Sequence, residues 1–218
     1  MANTVIISSR GDGVIAGRMI GATPAQLEPK NLGWGTGGVG TGAPYTAAKS
    51  DVAPFKEGAE SRVAGTSSQA TTTYTNDTYQ VVGTITSAST QTITEVFLSD
   101  SAAKPFSTTV AAGGVVGSNS ATTLNTAASY TPANGTSVQV DTEVMLVTAG
   151  TGTTALTVTR GTNGSTALST ISAGDVVTMG NAPGSSTANG TLFTKATFSG
   201  LPLNSGDSLQ STVSVSFN

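Results

Sequence analysis

The side chains that could do chemistry in this chain are few, and their spacing restricts them further. There is no histidine and no cysteine. Ser-His-Asp catalysis, imidazole proton transfer, histidine or thiolate metal sites and a disulfide framework are therefore excluded, and the redox compartment is left open. Carboxylates remain, and Asp141 with Glu143 is the closest acidic pair of the central segment. On one strand, positions i and i+2 share a face, where like charges repel and raise a pKa, as a glycosidase pair requires. Oxocarbenium chemistry also needs an aromatic-lined cleft, so a strand edge or a turn ligand is the simpler reading. No D-x-D-x-D-G calcium loop occurs. Asp12, Asp77, Asp100, Asp175 and Asp207 mostly neighbour Gly, Asn or Ser and read as turn formers. The G-x-G-x-x-G spacing at Gly33, Gly35 and Gly38 would cradle a dinucleotide only between a hydrophobic strand and a helix. Pro29 and Lys30 precede it and no helix follows, so these are read as loop glycines. No catalytic, cofactor-binding or metal-binding residue is expected, and no cofactor.

The elements that would position these groups are mostly strands. Residues 12 to 20 are the best helix candidate, with Asp12 as N-cap and Val14, Ile15, Arg18 and Met19 at three-to-four spacing. From Pro24 to Gly65 the text is irregular, with prolines and a glycine run around the single tryptophan, and residues 1–65 read as an arm and loops. After Gly65 the period becomes two. Thr71 to Tyr74, then Tyr79, Val81 and Ile85, suit a pleated surface, with Asn76-Asp77 as a hairpin turn between them. The clearest strand is C-terminal: Leu209, Val213, Val215 and Phe217 fall on one face and Gln210, Thr212, Ser214 and Ser216 on the other. Between Asp100 and Asn189 a second strand rhythm (Val138 to Val140, Val144 to Val147, Leu156 to Arg160, Val176-Val177) is bracketed by Gly/Ser/Thr stretches, as an inserted module would be. The expected fold is mainly β: an antiparallel, jelly-roll-like β-sandwich from residues 66–106 and 188–218, a small β module inserted at 107–187, and an irregular N-terminal arm.

Composition bounds the partners. Only 10% of the 218 residues are charged, the net charge is −3, and 37% are hydrophobic with 27 glycines, which places the chain outside the usual disordered class. A surface of hydroxyls and backbone loses less entropy when covered by another subunit than one of Lys and Glu. Nine scattered basic residues and a pI near 4.7 give no cationic stripe, so no direct nucleic-acid contact is expected. The N-terminus has only a three-residue apolar run, Val5 to Ile7, too short for a signal or a spanning helix. No membrane association is expected, and synthesis and folding in a cytoplasm are.

The segments Val63 to Gln69, Thr78 to Ile85 and Ile93 to Asp100, continued after the insert by Gly190 to Phe198 and Leu203 to Gln210, resemble tailed-phage virion proteins. In that family a strand like Leu98-Ser99-Asp100 turns within a few residues into one like Thr191-Leu192-Phe193. The long interruption argues for a separate folded module. Within it, Val138 to Val147 and Leu156 to Ala167 resemble a small β unit recurrent in phage head and tail proteins. Those units carry a histidine near where this chain has Ser169 to Ser172.

The resemblance implies a scaffold more than an activity. It points first to a capsid decoration or cement protein on the outer capsid surface of the virion, whose partners are the major capsid protein and itself, as a homotrimer. The alternative is a tail or fibre component involved in host attachment. A particle-borne cell-wall hydrolase rests only on Asp141 and Glu143. Trp34, Val39, Tyr45 and Phe55 are the expected partner contacts, because the indole is the largest apolar surface in a glycine-rich arm whose ordering is expensive in isolation.

Overall fold

The computed structural model describes residues 4–20, 27–38, 43–113, 118–180 and 191–217. Among them run β1 (Thr4–Ile7), α1 (Ser9–Met19), β2 (Asn31–Gly35), β3 (Val63–Ala64), β4 (Thr66–Ala70), β5 (Thr78–Thr86), β6 (Gln91–Ser99), β7 (Ser107–Thr109), β8 (Thr123–Asn125), β9 (Ser137–Val140), β10 (Glu143–Ala149), β11 (Ala155–Thr159), β12 (Val176–Gly180), β13 (Leu192–Leu203) and β14 (Ser208–Ser216). All strand pairs are antiparallel. The fold is mainly β and sandwich-like, as the period-two text implies.

A five-stranded sheet, β1-β13-β6-β2-β3, faces a three-stranded sheet, β14-β5-β4. Their shared core joins Leu32, Trp34, Ile93, Leu98 and Phe193 of the first sheet to Val81, Ile85 and Val215 of the second, with Val14 of α1 at one end. The alternation read at the C-terminus is realised in β14, whose nine residues pair in unbroken register with β5 from Ser208↔Thr86 to Ser216↔Thr78. Leu209, Val213 and Val215 turn inward while Gln210, Thr212 and Ser214 are exposed. Such a strand is fixed in register because a one-residue slip would put every apolar side chain in water.

Residues 107–180 carry all six strands of the other sheet, ordered β7-β12-β9-β10-β11-β8. Its two edges meet: Val110 bridges Thr126, Ala111 N–H donates to Asn125 O, and Ala127 N–H donates to Thr109 O. The sheet therefore closes into a small barrel, which leaves no long edge to recruit another strand. Val138, Val140, Met145, Val147, Leu156, Val158, Ile171 and Val177 fill it, with Tyr130 edge-on to Phe106. The chain leaves and re-enters the sandwich at one point, where Asp100 N–H donates to Thr191 O and Thr191 N–H donates back to the Asp100 carboxylate.

The N-terminal third differs from the expected arm. It contributes β1, α1, β2 and β3 to the sandwich. Helix α1 starts at Ser9, earlier than the expected 12–20. The cap is Ser8, whose hydroxyl accepts from Gly11 N–H (3.0 Å), and Asp12 lies in the first turn, where its charge complements the helix dipole. Strand β2 escapes propensity rules because glycines are poor strand formers, yet it pairs with β6 through Gly33↔Phe97 and Gly35↔Glu95. A Cβ at Gly33 would lie 2.3 Å from the Phe97 ring, and one at Gly35 2.3 Å from the Glu95 carboxylate. The spacing of two puts both glycines on the face where those side chains need room, while Leu32 and Trp34 point to the core. Thr71 to Tyr74 lie between β4 and β5 in an exposed turn rather than in a strand. Asp77 holds that turn, accepting from Thr72, Thr73 and Tyr74 N–H.

Candidate functional site

The residue types best able to bind something are apolar and lie around α1. An open groove of about 560 Å³ is lined by Val14, Ile15, Met19, Pro29, Tyr79, Phe193 and Phe217, with Arg18 and Glu28 at its rim. Met19 and Ile20 are about four-fifths exposed (82% and 80%), and Leu27 and Phe217 are also open to solvent. The groove exists because α1 packs mainly through Val14 and the half-buried Ile15, leaving its last turn overhanging β13 and β5. Covering one large apolar side chain fully contributes roughly 1.5–3 kcal/mol, so covering this rim would be favourable. Beside it β1 is an edge strand, paired only with β13, and its Val5 is exposed.

The residues expected to contact a partner lie elsewhere. Trp34 is 2% exposed, inside the sandwich core, and its indole N–H donates to Glu60 (2.8 Å). Phe55 is 3% exposed and stacks edge-on with Tyr45. Neither presents surface to another molecule in this conformation: the glycines around Trp34 order a strand instead of a loop, and Phe55 packs over Lys195. Tyr45 is half-buried in a crevice of about 200 Å³ between sandwich and barrel, shared with Lys56, Asp141 and Asp175. Burial and the neighbouring Asp141 push its phenol up to about 12. Burial, with the Asp175 charge beside it, also raises the Asp141 carboxyl. Val39 lies outside the described residues.

Asp141 and Glu143 do not form a working pair. Asp141 sits in a turn with φ 49°, whereas Glu143 is fully buried. Its oxygens accept from Arg160 Nε (2.6 Å) and Nη2 (2.7 Å), Gly161 N–H (3.0 Å) and Leu168 N–H (2.8 Å). All four lone-pair directions are taken by the protein, which makes Glu143 a strut of the barrel.

The cluster that sequence reasoning missed is buried where the outer face of the five-stranded sheet meets residues 47–56. Lys195 of β13 and Glu95 of β6 stand on that face, and Asp51 is brought over them by a turn in which Asp51 N–H donates to Ala48 O. Lys195 Nζ is 2.7 Å from Asp51 Oδ2 and 3.9 Å from Glu95 Oε2, and all three side chains are fully buried. Nζ also donates to Ala53 O (3.2 Å) and lies 3.3 Å from the Phe55 ring centre. Glu95 accepts from Phe55 and Lys56 N–H, and burial, only partly offset by Lys195, raises its pKa. From the barrel, Gln139 donates to Asp51 Oδ1 (2.9 Å) and accepts from Val52 and Ala53 N–H. Segment 47–56 is thus clamped between the two bodies. The only sequence signal was Gly33 and Gly35, whose missing side chains admit Phe97 and Glu95.

No family model matches the chain, and neither does any curated protein or solved structure. No helix among the described residues is long and apolar enough to cross a membrane.

Proposed function

We propose that the chain is a structural, non-enzymatic protein of a tailed-phage virion: a capsid decoration protein that binds the outer surface of the major capsid protein lattice and stabilises the head. The observation that carries this reading is the apolar groove and rim at α1, on a molecule in which only 10% of the residues are charged. Of those charges, Arg62 with Glu57, Arg160 with Glu143 and Lys195 with Asp51 are paired within the fold. A contact made there is apolar packing supplemented by backbone hydrogen bonds along an edge such as β1. It depends weakly on salt compared with a Lys/Arg-driven interface. Assembly as a closed homotrimer would let one oligomer hold several capsid subunits, so that modest contacts add up through avidity.

Particles produced without the protein test the reading. They should assemble with normal shape and release their DNA at lower temperature or under milder osmotic shock, with adsorption intact. Particles that keep full heat resistance and fail to adsorb would replace the reading with that of a tail component.

A further inference from the structure

We propose that Lys195 and Asp51 condense to an intramolecular amide, a self-formed isopeptide cross-link, with Glu95 carrying the protons. The inference is independent of where the protein sits in a particle.

The geometry supplies each requirement of that reaction. The amine stands 2.7 Å from Asp51 Oδ2, which holds the carbon bonded to that oxygen within close reach of Nζ, and groups held together in this way react as if at very high concentration. Both are sealed from solvent, with the Phe55 ring against Nζ. An ion pair in such a place is weakly favoured at best, because desolvation opposes the mutual attraction. Transfer of one proton from the ammonium to the carboxylate leaves a neutral amine beside a neutral acid, which a dry site tolerates better. Glu95 stands 3.9 Å from Nζ, and its raised pKa lets it hold a proton and return it. Ala48 N–H donates to Asp51 Oδ2 (3.0 Å) and Gln139 Nε2 to Oδ1 (2.9 Å). These donors are placed to steady the negative oxygen that forms when Cγ becomes tetrahedral.

The step balances without a co-reactant. The Nζ lone pair forms a bond to Asp51 Cγ, and one C–O bond of the carboxyl breaks. The departing oxygen leaves as water with two of the three protons that the ammonium brought. The third stays on the amide nitrogen, no charge is left, and nothing is oxidised or reduced. The product fastens segment 47–56 to β13. A carboxylate pair plus lysine is a costly way to fill a core that apolar side chains could fill equally well, and the condensation accounts for the choice.

Intact mass of the folded full chain, measured under denaturing conditions, tests this directly. The expected mass is about 18 Da below that of the sequence, one water lost. Trypsin should then fail to cleave after Lys195 and should release residues 50–56 joined to 161–218. Lys195→Arg and Asp51→Ala should keep the full mass. Since either variant could misfold, the branched peptide from the unaltered protein decides the matter. Glu95→Gln, shown to be folded by circular dichroism, should lack the link or form it much more slowly. Folded protein of full mass, with normal cleavage after Lys195, overturns the proposal. A folded Glu95→Gln protein that links at the unaltered rate overturns the part given to Glu95.

Discussion

Replacing Arg160 by methionine is the sharpest probe of how the barrel is held. Methionine keeps an unbranched apolar stem but removes the guanidinium that donates to both Glu143 oxygens and to the carbonyls of Ser118 and Leu168. The Glu143 side chain has no solvent exposure and Arg160 only 6%, so water cannot replace the lost donors. An orphaned buried carboxylate destabilises by about 3–5 kcal/mol, whereas breaking an exposed pair costs about 1 kcal/mol or less. Against the usual total of roughly 5–15 kcal/mol the predicted loss is severe. Urea unfolding followed by far-ultraviolet circular dichroism gives the free energy. Tryptophan emission isolates the sandwich, because the single tryptophan, Trp34, lies in its core. The variant should lose part of its strand signal at lower urea than the change in Trp34 emission. A loss of about 1 kcal/mol or less, or two probes that move together by that amount, would refute the strut assignment.

Three other outcomes follow from the same geometry. Trp34 of the free subunit should already emit as a buried indole and should not shift further on assembly; a red, water-exposed spectrum would contradict its place in the sandwich. Met19→Glu should leave the subunit's thermal midpoint nearly unchanged, since Met19 is 82% exposed, while weakening capture by capsids in a co-sedimentation assay; undiminished capture would remove the α1 groove from the interface. Hydrogen bonds from Tyr74, Thr72 and Thr73 N–H hold the Asp77 carboxyl well below its ordinary value. The stability it contributes is therefore full above its unfolded pKa, near 3.8, and lost as pH falls through the folded one. Thermal midpoints measured down the acid limb should fall less steeply in Asp77→Asn than in the parent.

What was legible in the sequence was whatever local periodicity encodes. The Leu209-to-Val215 alternation gave β14, and the Val/Leu runs between 138 and 177 gave four barrel strands. What was not legible depends on partners far away in the chain. Gly33-Trp34-Gly35 reads as a loop until β6 is laid beside it, because only the Phe97 ring and the Glu95 carboxylate explain the glycines. Trp34 then becomes core instead of contact surface. Asp51, Glu95 and Lys195 each look like an ordinary surface charge in their own neighbourhood, and no spacing rule joins a turn residue to two separate strands. The α1 groove was hidden for a related reason. The helix pattern marks Met19 as one of a face, but which part of that face stays uncovered is set by where β5, β13 and Phe217 stop.

Electron cryomicroscopy of purified virions made with and without the protein tests the proposed place on the head most directly. The expected result is density on the outer face of the head lattice, in many copies around its symmetry axes, that disappears when the protein is missing, with the α1 end turned toward the shell. A head surface identical in both preparations, with the difference confined to the tail or no difference at all, would contradict it.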